Sequence, residues 1–343
     1  MYPFPTLYDL EASNRLNTPF KEDKNYQKTV DNAHIFSFLS DLAYKDLAAL
    51  EWRLNISDQD KSHGKFIYFD DGIRTQGFIL KIEHDQRTDV IITFRGTEYN
   101  HPRAALDDWI GNFATTLVPF MPKHNHEEEG PQIHKGFHKG LNSVWVEADL
   151  NRLHEDLERN SANRIWFAGH SLGGGLATLA AMRWACTYGV QHIGGIYTFG
   201  APKCGNEQFK ILYEAELAHR TFRFVNDRDI VPLLPVTEGL RSNYLRLLSR
   251  KIFGSFVEGS IKYIYNLFYK EKEYCHVAKP FYIDADGDIT RHPTTSGWWQ
   301  GIEELILDHD HREYLKLIGA KSTHQQSLGD QFPIHHAAQC SIM

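Results

Sequence analysis

The sequence predicts an α/β protein in which strands and helices alternate around one large core. Three observations carry that prediction. Residues 164–185, RIWFAGHSLGGGLATLAAMRWA, read as a short apolar strand turning sharply into an Ala/Leu-rich helix. Upstream, DVIITFRGT at 89–97 is an apolar run bounded by Gly96, the pattern of a buried strand. Downstream, FRFVN at 222–226 reads as a further strand, with acidic residues at its C-terminal end.

The remaining elements follow in chain order. A helix is expected around His34–Leu50, where Ile35, Phe38, Leu39, Leu42 and Ala43 recur at helical spacing. Two strands are expected in FIYFDD at 66–71 and GFILKIEHD at 77–85. Residues 98–140 are rich in Pro, Gly, His and Glu, with KHNHEEEGP at 123–131 as a loop, and LNSVWVEADLNRLHEDLER at 141–159 reads as a helix. DADGD at 284–288 lacks the glycine a calcium loop needs at its sixth position. It lies between the strand-like FYI and IT, so a hairpin turn is expected. Residues 1–320 are expected to form a single domain, followed by a flexible polar tail at 321–343.

Composition narrows the function classes. The chain has 343 residues, 42% hydrophobic, with a formal net charge of −7, and carries no basic stripe of the kind that binds nucleic acid. Cys186, Cys204, Cys275 and Cys340 are widely spaced without a CxxC pair, so neither a zinc site nor a disulfide framework is expected. MYPFPTLYDLEASNRLNTPFKEDKNYQ has no basic segment leading into an apolar run, so no Sec signal peptide is expected. A cytoplasmic or membrane-associated location follows as the expectation.

The chemistry centres on Gly169-His170-Ser171-Leu172-Gly173, a G-x-S-x-G match in the strand–turn–helix setting it requires. Small residues flank Ser171 because the turn is crowded, and the following helix directs its positive end at charge developing there. A serine hydroxyl is a weak nucleophile and needs a histidine base oriented by an acid, both expected downstream. Asp227 and Asp229, in RFVNDRDIVPLLP, compete for the acid on chemistry alone.

Six segments in order resemble the class 3 lipase family: FRGTE at 94–98, DWIGNF at 108–113, IHKGFHKG at 133–140, GHSLGGGLA at 169–177, YTFGAPKCGN at 197–206 and RDIVPLLP at 228–235. The resemblance covers roughly residues 30–318. It implies an α/β-hydrolase fold, with a mainly parallel central sheet flanked by helices and a helical insertion. It makes Ser171 the nucleophile and Asp229 the acid, with Asp227 a loop residue. For the base it offers two spacings. One selects His309, five residues before Tyr314-Leu315; the other, typical of secreted fungal members, selects His311. The DH followed by a YL helix favours His309. The resemblance further implies an oxyanion hole from the backbone N–H groups of Leu172 and Thr97, with Asp108 and Trp109 supporting that loop and His276 structural.

The expected activity is hydrolysis of carboxylic esters of lipids, by a triacylglycerol lipase or phospholipase A1 mechanism that needs neither cofactor nor metal. The alternatives are a catalytically silent scaffold on the same fold and a soluble short-chain or aromatic esterase. Two features lean toward lipid and peripheral membrane contact. Residues 240–272 are aromatic, Leu/Ile-rich and basic, which suits a lid or an interfacial helix, though a helical pair packed on the body reads the same way. Cys340-Ser341-Ile342-Met343 matches C-a-a-X with Met favouring farnesyl, although Ser341 is not aliphatic and few basic residues precede it. In a bacterial protein a working motif implies delivery to host membranes.

Overall fold

The computed structural model describes residues 4–10, 23–73, 75–97, 116–120, 130–145, 150–227, 229–235, 274–292 and 307–324. Asp108, Trp109, the 240–272 segment and Cys340 lie outside the described residues.

Among the described residues an eight-stranded sheet runs in the order β1-β2-β3-β6-β7-β8-β9-β10. Its left edge is an antiparallel meander of β1 (Phe66–Asp70), β2 (Gln76–Glu83) and β3 (Thr88–Phe94). From β3 onward β6 (Arg164–His170), β7 (Ile193–Phe199), β8 (Thr221–Asn226) and β9 (Pro280–Ile283) pair in parallel. β10 (Ile289–Thr290) closes the edge as a hairpin with β9. The central strand β7 is buried at every residue, as a parallel strand covered on both faces must be. This is the α/β-hydrolase fold.

Two cores sandwich the sheet. One face carries α1 (Tyr26–Leu42) and α8 (His311–Gly319), whose Phe36, Leu39, Tyr314 and Ile318 pack with Trp166, Tyr197 and Phe224. The other carries α4 (Lys135–Trp145), α5 (Leu150–Glu158), α6 (Leu172–Tyr188) and α7 (Glu207–Leu217), centred on Phe137, Leu179, Trp184 and Phe209. α1 is buried nearly all round, so its polar residues need internal partners. Asn32 bonds the backbone of Tyr8 and, at 2.9 Å, the Tyr197 hydroxyl; Asp31 accepts from Ser322 and Thr323.

Three expectations change in detail. The helix expected over 34–50 is two: α1 begins eight residues earlier and ends at Leu42, and α2 (Leu47–Leu54) restarts because the Asp46 carboxylate caps the Ala49 N–H. Within 98–140, Leu117–Pro119 (β4) and Gln132–His134 (β5) form a short ribbon. α4 then starts at Lys135 rather than Leu141, its first turn satisfied by His134 Nδ1, which accepts from the Gly136 N–H at 3.1 Å. α3 (Asp58–Ser62) is a short capping-box helix. The DADGD hairpin is present, with Asp284 Oδ1 accepting from the N–H groups of Asp286 and Asp288.

Candidate active site

Ser171 sits where β6 ends and α6 begins, with φ 57° and ψ −129°. That region is foreign to residues other than glycine, and holding serine in it costs on the order of 1–3 kcal/mol. The surrounding packing over-determines it. Ser171 N–H donates to the Phe199 carbonyl at 2.9 Å, and its own carbonyl accepts from Gly174 N–H. The glycines of the motif permit the tight approach: a Cβ on Gly173 would lie 2.2 Å from the Phe94 carbonyl oxygen, and one on Gly169 2.3 Å from the Gly173 backbone. The result is a sharp elbow at the carboxyl end of the sheet, with the first turn of α6 directed at the serine.

The acid and the histidine arrive from later segments at the same end of the sheet. Asp229 follows β8 in a turn closed by its own N–H on the Asn226 carbonyl. His309 precedes α8. Its Nδ1 lies 2.7 Å from Asp229 Oδ2, and both side chains are buried. The couple packs on Gly200, at the end of β7, where a Cβ would lie 2.5 Å from Asp229 Oδ2 and 2.9 Å from the His309 ring. With φ +59°, Gly200 also needs the conformational freedom only glycine has. Ser171 and the couple are thus gathered against one strand end, since the residue before Gly200 accepts the Ser171 N–H.

His311, the competing base, points elsewhere. Its Nδ1 meets Asp41 Oδ1 of α1 at 2.7 Å, and its ring stacks on Tyr44 at 4.1 Å. Asp227 donates its backbone N–H to the Ile283 carbonyl on the adjoining strand, while the imidazole is on Asp229. Thr97 and Leu172 flank the elbow: Leu172 is the first residue of α6, and Thr97 follows Gly96, where a Cβ would come 2.7 Å from the His170 carbonyl. His276, half-buried, has its Nε2 against the Pro232 carbonyl.

Two contacts of this couple were not legible in the sequence. The Tyr314 hydroxyl donates to Asp229 Oδ2 at 2.7 Å and accepts from the Asn226 N–H at 2.8 Å. His170 stands beside His309 with ring centroids 4.5 Å apart. Tyr314 lies five residues after His309, but its spacing cannot show that it points back to an acid 85 residues upstream.

Burial governs the charges. It pushes the His309 imidazole down to about 3, so the ring is neutral near neutral pH. Burial also pushes the Asp229 carboxyl well up, opposed by hydrogen bonds from Tyr314 and from the Val231 N–H at 2.8 Å. A neutral imidazole with Nδ1–H on a carboxylate leaves Nε2 as the basic atom.

Fold and site together define a serine-elbow α/β-hydrolase, and known proteins agree. Residues 91–239 match the family model described as lipase (class 3). The chain is 30% identical over 160 residues to the chloroplastic phospholipase A(1) DAD1 of Arabidopsis thaliana, covering 43% of this chain and 34% of that one. It is 31% identical over 165 residues to a lipase of Rhizopus oryzae, covering 47% and 38%. The matched segments thus span only about a third of those relatives. The structure of M37 lipase superposes over 90% of this chain and 98% of that one, at 16% identity and a TM-score of 0.51, a likeness of fold. Over residues 91–239 the chain is thus similar to the class 3 lipase family.

Proposed function

We propose that the protein hydrolyses carboxylic ester bonds of lipids, with Ser171 as nucleophile, His309 as base and Asp229 as the acid that orients it. The observation that carries this reading is the His309–Asp229 couple, 2.7 Å apart and buried, packed on the strand end that also holds the strained Ser171 elbow. Among the similar proteins are those named phospholipase A(1), lipase, and secreted mono- and diacylglycerol lipase of Malassezia globosa. Those names support a lipid ester as the substrate class.

In this reading His309 Nε2 takes the Ser171 proton as Oγ attacks the ester carbonyl. Asp229 stabilises the imidazolium through Nδ1–H, and Tyr314 and Val231 hold the carboxylate as its charge partner changes. The N–H groups of Leu172 and Thr97 receive the oxyanion of the tetrahedral intermediate. His309 then returns its proton to the leaving alkoxide, and water, deprotonated by the same imidazole, releases the acyl group from Ser171.

Lipid substrates gather at surfaces. No helix among the described residues is long and apolar enough to cross a membrane. We assign peripheral membrane contact to the basic, aromatic 240–272 segment on its composition. The test compares wild type with Ser171→Ala on p-nitrophenyl esters of increasing acyl length and on phospholipid vesicles. Ser171-dependent turnover that rises with chain length or vesicle surface supports the lipid hydrolase. Turnover confined to short or aromatic esters points to a soluble esterase, and none on either substrate class to a silent scaffold.

A further inference from the structure

Tyr44 and His170 take no part in the chemistry above, yet they hold the base from behind. His170 is the second residue of the G-x-S-x-G turn and is buried. Its Nε2 lies 2.7 Å from the backbone carbonyl oxygen of His309 and its Nδ1 2.8 Å from the Tyr44 hydroxyl. A carbonyl only accepts, so the hydrogen is on Nε2; Nδ1 of the neutral ring then accepts from the Tyr44 O–H. Burial, with the neighbouring His309 and His311, holds the ring neutral. The donors therefore run one way, from Tyr44 through His170 to the His309 carbonyl.

The loop bearing His309 is clamped at two successive carbonyls. The Asp308 carbonyl accepts from Asn226 Nδ2 at 2.9 Å, at the end of the strand that leads to Asp229. The His309 carbonyl accepts from the residue immediately before Ser171. One clamp ties the base to its acid and the other ties it to its nucleophile. Tyr44 is fixed in turn by stacking on His311, which Asp41 holds, and a Cβ on Gly96 would lie 2.0 Å from its hydroxyl.

We propose that Tyr44 and His170 are positioning residues, a hydrogen-bonded relay that sets the His309 imidazole against Ser171. The proposal rests on the triad reading given above. His311 and Asp41 secure the far end of the relay.

The test uses the full chain with His170→Phe, His170→Gln and Tyr44→Phe. It reads kcat and KM on a p-nitrophenyl ester, the rate at which a fluorophosphonate labels Ser171, and the melting temperature. His170→Phe is expected to lower kcat and the labelling rate together by about 10- to 100-fold, with KM within about twofold. His170→Gln, whose amide can still donate to the carbonyl, is expected to recover most of that loss. Tyr44→Phe is expected to fall in the same direction by a smaller factor. Should His170→Phe fail to fold, Tyr44→Phe carries the test, since it removes one oxygen and keeps the stacked ring. Wild-type kcat and labelling in His170→Phe, or in Tyr44→Phe where that variant carries the test, overturn the relay, as does a Gln variant no better than Phe at equal melting temperature. Those results leave the triad standing. A wild type whose Ser171 is not labelled, and whose turnover survives Ser171→Ala, overturns the triad and the relay with it.

Discussion

Replacing Tyr314 by Phe removes one oxygen from the centre of the site. That oxygen does two things: it donates to Asp229 Oδ2 at 2.7 Å and accepts from the Asn226 N–H at 2.8 Å. A hydrogen bond to a charged group contributes about 1.5–3 kcal/mol, and a buried N–H left unpaired costs about 1–3 kcal/mol. Because the ring itself stays packed, folding should lose about 3 kcal/mol, a fall of about 5 °C in melting temperature for a chain of this size. The catalytic effect is separate. Tyr314 draws the Asp229 carboxyl down against burial, so its loss lets that carboxyl rise and weakens the charge partner of the imidazolium. If about 1.4 kcal/mol of this is felt in the transition state, kcat falls about tenfold. The sign is fixed: the acid limb of the kcat/KM profile should move to higher pH. Ester hydrolysis from pH 5 to 9, with calorimetry on the same samples, measures both effects. A variant with wild-type kcat and an unmoved acid limb would falsify the assignment and reduce Tyr314 to packing.

Further outcomes are expected. His309→Ala should lower kcat by about 10⁴-fold, while His311→Ala, whose ring meets Asp41 and Tyr44, should lose about tenfold or less; the reverse order in an ester assay would exchange their roles. Ser171→Gly and Ser171→Ala should both be inactive, but the Gly variant should be more stable by about 1 kcal/mol, because φ 57° is strained for any Cβ. Chemical denaturation of the two variants decides it, and equal midpoints would deny the strain. Acid should destabilise the fold. Burial lowers His309 to about 3 and His34 to about 4, and lowers His170 and His276 well below 6.5. Between about pH 6.5 and 4 the unfolded chain therefore takes up protons that the native histidines refuse, so stability falls as pH falls. Asp89 and Asp229, raised by burial, bind protons in the native state and oppose this, but the four histidines outnumber them. Denaturation midpoints at pH 7 and pH 5 test the sign; a higher midpoint at pH 5 would contradict it.

What could be read from the sequence was local. The serine elbow is written in consecutive residues: an apolar strand, small residues where the turn is crowded, and a helix. The strands β1 to β3 and the DADGD hairpin carry their own patterning and turn chemistry. The helix starts at Leu47 and Lys135 were harder. They depend on the carboxylate of Asp46 and the ring of His134, single side chains that capped turns hydropathy alone did not mark.

The chemistry of the remaining site residues was legible as residue types, and their selection was tertiary. Asp227 and Asp229 are two positions apart, and so are His309 and His311. What separates them is the turn at the end of β8, which aims Asp229 inward through the Asn226 and Val231 contacts. It is also the start of α8 beyond Asp310, which leaves His309 before the helix and turns His311 toward Asp41. Tyr314 on Asp229, His170 on the His309 carbonyl and Tyr44 on His170 span 85, 139 and 126 residues. No local pattern encodes such pairs. A parallel sheet brings the ends of distant strands to one edge, and only there do hydrogen-bond directions choose which of two chemically equal side chains joins the buried His309–Asp229 couple.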